Sequence, residues 1–398
     1  MKLLQKPSDR RRTLGFTLLE LMITVVVFTI VAGAAFSLVG QHESVSQREL
    51  QLSGMNTRLR SAVGQIQMDL ANAGEGYFTG ANEVTFPIGV VVLNQTPTAN
   101  CNTGAPTFTY SSTCFDTLNI IQADTSTLPN FAPLALHPSA NFTTAAGTIL
   151  AVPQGADTAA TDAAYFKTGD ELLLVASNSS ASTADCTGVG GAANPSTKFS
   201  AVVLTAPGAV SGANVQLTYN ALPADGVATP ADPLSLTAHC SNELASNAYS
   251  FQTSDWIMRL NGISYSVLAS NVAGPGSPSD PQLTRTALGV TSVVADQIIG
   301  FKVGAALWNA GTGTGTDTDY IYDSSTYTIG GTGTSVTGTG VVDPYDYSLI
   351  RSLRFLLIGR TTPVGRTVVV QNPFDGGPYE IEAISTIVNP RNLSMKDQ

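Results

Sequence analysis

Hydrophobic and polar positions follow three different rhythms along this chain. Residues 16–39 read FTLLELMITVVVFTIVAGAAFSLV, an apolar run carrying a single ionisable residue, Glu20. At 1.5 Å per residue the run is about 36 Å long as a helix, enough to cross a hydrocarbon core of about 30 Å with some tilt. Beyond it, Val45, Leu52, Met55, Leu59, Ala62, Ile66, Leu70 and Ala73 recur at spacings of three, four or seven among Gln, Arg, Glu, Asn and Ser. That is the stripe of an amphipathic helix, so one helix is predicted from residue 16 to about 73, ending at Gly74 and Gly76. Gly33, Gly40, Gly54 and Gly64 each weaken it by about 1 kcal/mol relative to Ala. Two readings of them stand, bending of the helix and close packing of small residues against neighbouring helices.

After residue 78 the rhythm changes to short β-rich runs separated by turn residues. The clearest are 84–93, 117–122, 148–152, 171–176, 201–204, 215–219, 256–260, 263–267, 293–303, 349–358, 367–370 and 380–388. Asn261-Gly262 between two of them is a two-residue hairpin signal. The predicted fold class is α+β, a long N-terminal helix packed on an antiparallel β-rich C-terminal body. Residues 139–164, 177–198 and 305–343 are rich in Gly, Thr, Ser and Ala. They offer too little apolar burial to offset chain ordering and are predicted to be surface loops or flexible insertions.

Charge sharpens this division. The chain has 19 Lys/Arg and 29 Asp/Glu, but Lys2, Lys6, Arg10, Arg11 and Arg12 fall in the first 15 residues beside one acid, Asp9. Without that segment 14 basic and 28 acidic residues remain, a net of -14. An acidic chain disfavours a nucleic-acid surface, which needs clustered Lys/Arg. The basic start places the N-terminus in the cytoplasm and the rest, after residue 39, across the membrane. A secretory signal peptide has a shorter apolar core with its small-residue cleavage site on the far side, whereas here Gly15 precedes the run. Cys101, Cys114, Cys186 and Cys240 form no C-x-x-C pair, which favours disulfides over zinc in an oxidising compartment. Three connectivities are open, and Cys101–Cys114 with Cys186–Cys240 is preferred because the first pair closes a short loop rich in turn residues.

Glu20 is the anomaly of the apolar run. An acid inside such a helix costs roughly 2.5–3.5 kcal/mol on insertion scales, somewhat less near an end, and usually has a partner or a function. Gly15-Phe16-Thr17-Leu18-Leu19-Glu20, following Arg10-Arg11-Arg12, closely resembles the cleavage and methylation signature of type IV prepilins and pseudopilins. The resemblance implies that residues 1–15 are a leader, that prepilin peptidase cuts between Gly15 and Phe16, and that the Phe16 amine is methylated. It implies that Glu20 pairs with the N-terminal amine of a neighbouring subunit, setting axial register. Weaker matches follow in the order seen in PilW-type minor pilins: residues 68–74 and 76–78, 262–267, 283–285, 298–303 and 385–392. The implied organisation is leader 1–15, membrane and filament-core helix 16–39, helical extension 40–76 and extracytoplasmic body 77–398.

The implied function is a minor pilin acting in pilus assembly, priming or at the tip. Its partners are other major and minor pilins, the peptidase, the inner-membrane assembly platform and a tip adhesin. The chain would sit in the inner membrane with its body periplasmic, then enter the extracellular pilus. A type II secretion pseudopilin shares the same N-terminus and is the alternative. A membrane-tethered enzyme or binding protein is the third reading, and it calls for a catalytic cluster that the sequence does not display. His42, His137 and His239 have no metal-ligand spacing, and no phosphate loop is present. Asp317, Asp319 and Asp323 form an acidic loop in which the turn glycine and closing glutamate of a calcium site are missing, so solvation is the preferred reading. No enzymatic activity and no cofactor are expected.

Overall fold

The computed structural model describes residues 17–76, 78–79, 82–83, 89–95, 110, 114–124, 134–175, 199–220, 250–270, 280–307, 320, 350–361, 372–374, 376–377 and 379–393. Helix α1 runs Leu18–Ala71, and the chain divides into two compact units, Met1–Gly54 and Met55–Gln398. In the first unit the described residues are this helix and the residue before it, and most of its apolar side chains are exposed, Leu52 being half-buried. Val45, the first member of the predicted stripe, is 52% exposed because this unit offers it no surface to pack on. In the second unit the stripe is buried: Met55, Leu59, Ala62, Ile66, Leu70 and Ala73 all lie in the core, joined by Val63. Burying side chains of this kind contributes about 1.5–3 kcal/mol for each of the larger ones, so tertiary packing outweighs the intrinsic cost of Gly64.

The helix ends where glycine chemistry ends it. Gly74 and Gly76 have φ of 75° and 79°, a left-handed conformation that glycine adopts without a Cβ penalty. The Gly74 amide donates to Ile121 O at 2.8 Å. Gly89 then passes so close to this corner that a Cβ would lie 2.7 Å from Gly74 N and 3.0 Å from Ala73 C.

Two short strands, β1 (Phe78–Thr79) and β2 (Asn82–Glu83), pair with each other. The remaining elements are β3 (Val90–Leu93), β4 (Thr117–Ala123), β5 (Ala135–Pro138), β6 (Thr148–Val152), α2 (Ala159–Ala163), β7 (Glu171–Val175), β8 (Phe199–Val203), β9 (Ala209–Ser211) and β10 (Asn214–Thr218). They continue with β11 (Trp256–Ser270), β12 (Asp280–Ala287), β13 (Val290–Ala295), β14 (Ile298–Leu307), β15 (Ile350–Arg360) and β16 (Ile381–Val388). Every strand pairing among the described residues is antiparallel, and the α+β class expected from the sequence is what the structure has.

The long strand β11 is the hub. Its C-terminal part pairs with β4 on one edge and β12 on the other, giving the sheet β13-β12-β11-β4-β3. Its N-terminal part pairs with β5 and β7. Asn261-Gly262, expected to turn a hairpin, lies inside this continuous strand. Tertiary pairing overrides the local signal, with Asn261 opposite Gln122 and Gly262 opposite Ile121 on β4. The run expected at 293–303 is instead split into β13 and β14 at Asp296-Gln297, where Gln297 has φ 57°. A separate three-stranded sheet, β14-β15-β16, completes the region against which the second unit's helical segment packs.

The N-terminal part of β11 belongs to a closed ring of pairings. The ring runs β11-β7-β8-β10-β6-β5 and back to β11, with β8 joined to β10 through the Leu204–Tyr219 bridge and the Thr205 N to Thr218 O bond of 2.9 Å. Alternate residues point inward, among them Leu172, Leu174, Val202, Val215, Leu217, Ile149, Ala151, Leu136 and Ile257, the period-2 signature of a filled small barrel. Residues 139–164, expected as a loop or insertion, contribute β6 and α2 to it. The Ala159 and Ala163 side chains of α2 are buried, because small residues suffice when a short helix lies close on a barrel. Residues 177–198 lie outside the described residues, as do 308–319 and 321–343 of the third expected loop stretch.

Candidate functional site

The N-terminal turn of α1 carries the sequence-predicted chemistry. Gly15 and Phe16 lie outside the described residues, while Thr17 and Glu20 are described and exposed. Thr17 N donates to Glu20 Oε2 at 3.0 Å, Thr17 Oγ1 donates to the same oxygen at 3.1 Å, and Glu20 N donates to Thr17 Oγ1 at 3.3 Å. This reciprocal Thr-x-x-Glu arrangement is a capping box, which satisfies amides that the first helical turn leaves without intrahelical partners. The Thr-x-x-Glu spacing is readable in the sequence, and the helix start at Leu18 gives it its capping role. Further along, Thr24 Oγ1 donates to Glu20 O at 2.9 Å and Thr29 Oγ1 to Val25 O at 3.0 Å. These bonds hide the hydroxyls within the helix and leave Glu20 as the polar feature of an apolar surface. The helix is long and apolar enough to cross a membrane.

A second polar constellation ties the 55–71 part of α1 to the sheets of its own unit. Asn56 Nδ2 donates to Glu382 Oε2 at 2.5 Å, Arg58 pairs with Asp296, and Gln67 Nε2 donates to Thr386 Oγ1 at 2.8 Å. Asp69 is its centre, accepting from Tyr265 Oη at 2.5 Å and from Arg285 Nε at 2.7 Å. Asn392 Nδ2 donates to Ala73 O at 3.2 Å. Burial, followed by the Asp69 hydrogen bond, pushes the Tyr265 phenol well above its usual range, while that same carboxylate raises Arg285. Asp69, Tyr265, Arg285 and Asn392 come from four of the separate sequence segments that carried the weaker resemblance, and the fold brings these to one helix end.

Other candidates are placed less productively. His42 is exposed, and His137 hydrogen-bonds Asp255 O through Nδ1 at 2.8 Å and packs on Trp256 with ring centroids 3.9 Å apart. Cys114 is disulfide-bonded; Cys101, Cys186 and Cys240 lie outside the described residues. Asp317, Asp319 and Asp323 also lie outside them. Among the described residues no group of three or more His, Cys, Asp or Glu is placed to hold a metal ion. A fully buried carboxylate, Asp116, accepts from Gln95 N, Val303 N and Lys302 Nζ at 2.8, 2.8 and 2.7 Å and from Asn94 Nδ2 at 3.0 Å. It joins β4 to β14.

Residues 10–36 match the family described as the prokaryotic N-terminal methylation motif. The match spans Arg10-Arg11-Arg12, Gly15, Phe16, Glu20 and most of the apolar run, and supports a type IV pilin-like or pseudopilin-like protein. No curated protein and no solved structure matches the chain.

Proposed function

We propose that this chain is a minor pilin of the PilW-like type, a non-enzymatic subunit that enters a type IV pilus at its priming complex or tip. The observation that carries the reading is the methylation motif itself, with Glu20 set in the first turn of a helix able to span a membrane. A lone carboxylate is costly in a bundle of apolar helices, and an ammonium from an adjacent subunit offsets that cost while fixing register. The PilW-like assignment draws support from the meeting of four of its scattered sequence segments at the helix end that carries Asp69 and Ala73. In this reading the leader is cut after Gly15, Phe16 is methylated, and the body is periplasmic before export.

Mass analysis of the mature N-terminus tests the reading. The expected species begins at a methylated Phe16, and replacement of Gly15 leaves the leader uncut. A protein that still begins at Met1 would overturn it. The motif serves a type II secretion pseudopilin equally well. Recovery with sheared surface pili, rather than dependence on a secretion channel, distinguishes the two.

A further inference from the structure

We infer that the barrel is an autonomous module inserted into what is otherwise a simple β4–β11 hairpin, and that the assembly role does not require it. The second part rests on the pilin reading; the first does not. The chain leaves the main sheet after Asp124 and rejoins it at Arg259, and these residues face each other, with Asp124 N donating to Arg259 O at 2.9 Å. Between them lie the barrel strands and α2, and the ring of pairings closes on itself. The core of this ring is its own: Leu134, Leu136, Phe166, Leu174, Leu217 and Ile257 belong to a hydrophobic cluster drawn entirely from the inserted stretch. A hydrophobic core of its own is what lets a segment fold and open as its own cooperative unit.

The seam between barrel and sheet is polar and incompletely filled. Arg259 sits between Asp124 on the sheet side, at 3.2 Å, and Asp170 at the start of β7, at 2.9 Å. Beside it is a cleft of about 380 Å³ lined by Gly169, Glu171, Gly262, Ser264 and Thr286. By contrast, the helix anchors on Glu382, Asp296, Thr386, Tyr265 and Arg285 all fall outside the inserted stretch. The helical segment therefore holds to the sheets, and the barrel hangs from β11.

Two variants of the full chain test this. In the first, residues 125–258 are replaced by Asn-Gly, a two-residue turn suited to the facing pair Asp124 and Arg259. In the second, Leu174→Asp places a charge in the barrel core. Hydrogen exchange of the Leu174→Asp protein is expected to lose protection by a hundredfold or more in β5–β8 and β10, while β12 and β14–β16 stay within about threefold of the parent. Loss of protection across all these strands together would overturn the module. The shortened protein is expected in sheared filaments within about twofold of the parent level. Its exclusion while folded and processed would overturn the claim that assembly does not need the barrel. If it does not fold, the barrel is part of the sheet's own folding unit and the inference fails. Absence of the parent itself from filaments would count against the pilin reading instead, leaving the exchange result to decide the module.

Discussion

Asp69 and Asp116 are carboxylates placed to tie elements together, and their surroundings make them respond differently. Asp69 is partly exposed and held by a guanidinium and a phenol. Replacing it with Ala leaves Arg285 without its carboxylate and Tyr265 without an acceptor, so a loss of about 3 kcal/mol is expected. Tyr265→Phe, which removes one hydrogen bond, is expected to cost about 1 kcal/mol. Denaturation midpoints of both variants, and of the pair combined, measure these values and their coupling. Asp116 is fully buried, and desolvation raises its pKa despite bonds to Gln95 N, Lys302 and Val303 N. A raised acid binds protons more tightly folded than unfolded, so its contribution to stability grows as pH falls through the folded value and is lost as pH rises. Between neutral pH and pH 4 the stability of the parent relative to Asp116→Asn is therefore expected to shift in the parent's favour. A gap that stays flat, or moves the other way, would count against burial as the dominant cause. None of these pairings was legible in the sequence. Its spacing places Asp69 on a helix and Arg285 in a β-rich region, but not opposite each other.

At the scale of elements, two glycines with different surroundings give opposite expectations. A Cβ at Gly64 meets nothing within 4 Å, so Gly64→Ala is expected to stabilise the isolated chain by about 1 kcal/mol through helix propensity. At Gly89 the Cβ meets backbone atoms of Gly74 and Ala73, which cannot swing aside, so Gly89→Ala is expected to destabilise by about 1–3 kcal/mol. Chemical denaturation in detergent checks both signs. The same contrast explains what could be read in advance. The helix, its glycine end, and strands such as Thr148–Val152 and Ile381–Val388 follow from local period and propensity. Ala135–Pro138, Ala209–Ser211 and Asp280–Ala287 carry no such local signal. They are short or carry Pro, His and Gln; Ala135–Pro138 is held by β11, distant in sequence, whereas Ala209–Ser211 and Asp280–Ala287 pair with their neighbours across tight turns. The Asn261-Gly262 signal misled because a strand paired on both sides of it continues straight through.

For the whole molecule, the capping box supplies a competing explanation of Glu20, since a residue that merely starts a helix would need no partner subunit. The two roles separate by chemistry. Thr17→Ala removes the cap, worth about 1 kcal/mol, and leaves the charge. Glu20→Gln keeps a side chain able to accept the Thr17 amide bond and removes the charge. If Glu20 pairs with a neighbouring amine, Thr17→Ala should be recovered in sheared filaments within about threefold of the parent. Glu20→Gln should fall tenfold or more, because 1.4 kcal/mol already corresponds to a factor of ten and an unpaired ammonium among apolar helices costs more than that. Membrane insertion, read by fractionation, should be unchanged in both, since neither substitution adds a charge to the apolar run. The reverse pattern, with Thr17→Ala depleted and Glu20→Gln retained, would reduce Glu20 to a helix start and leave the interaction between subunits to be carried elsewhere.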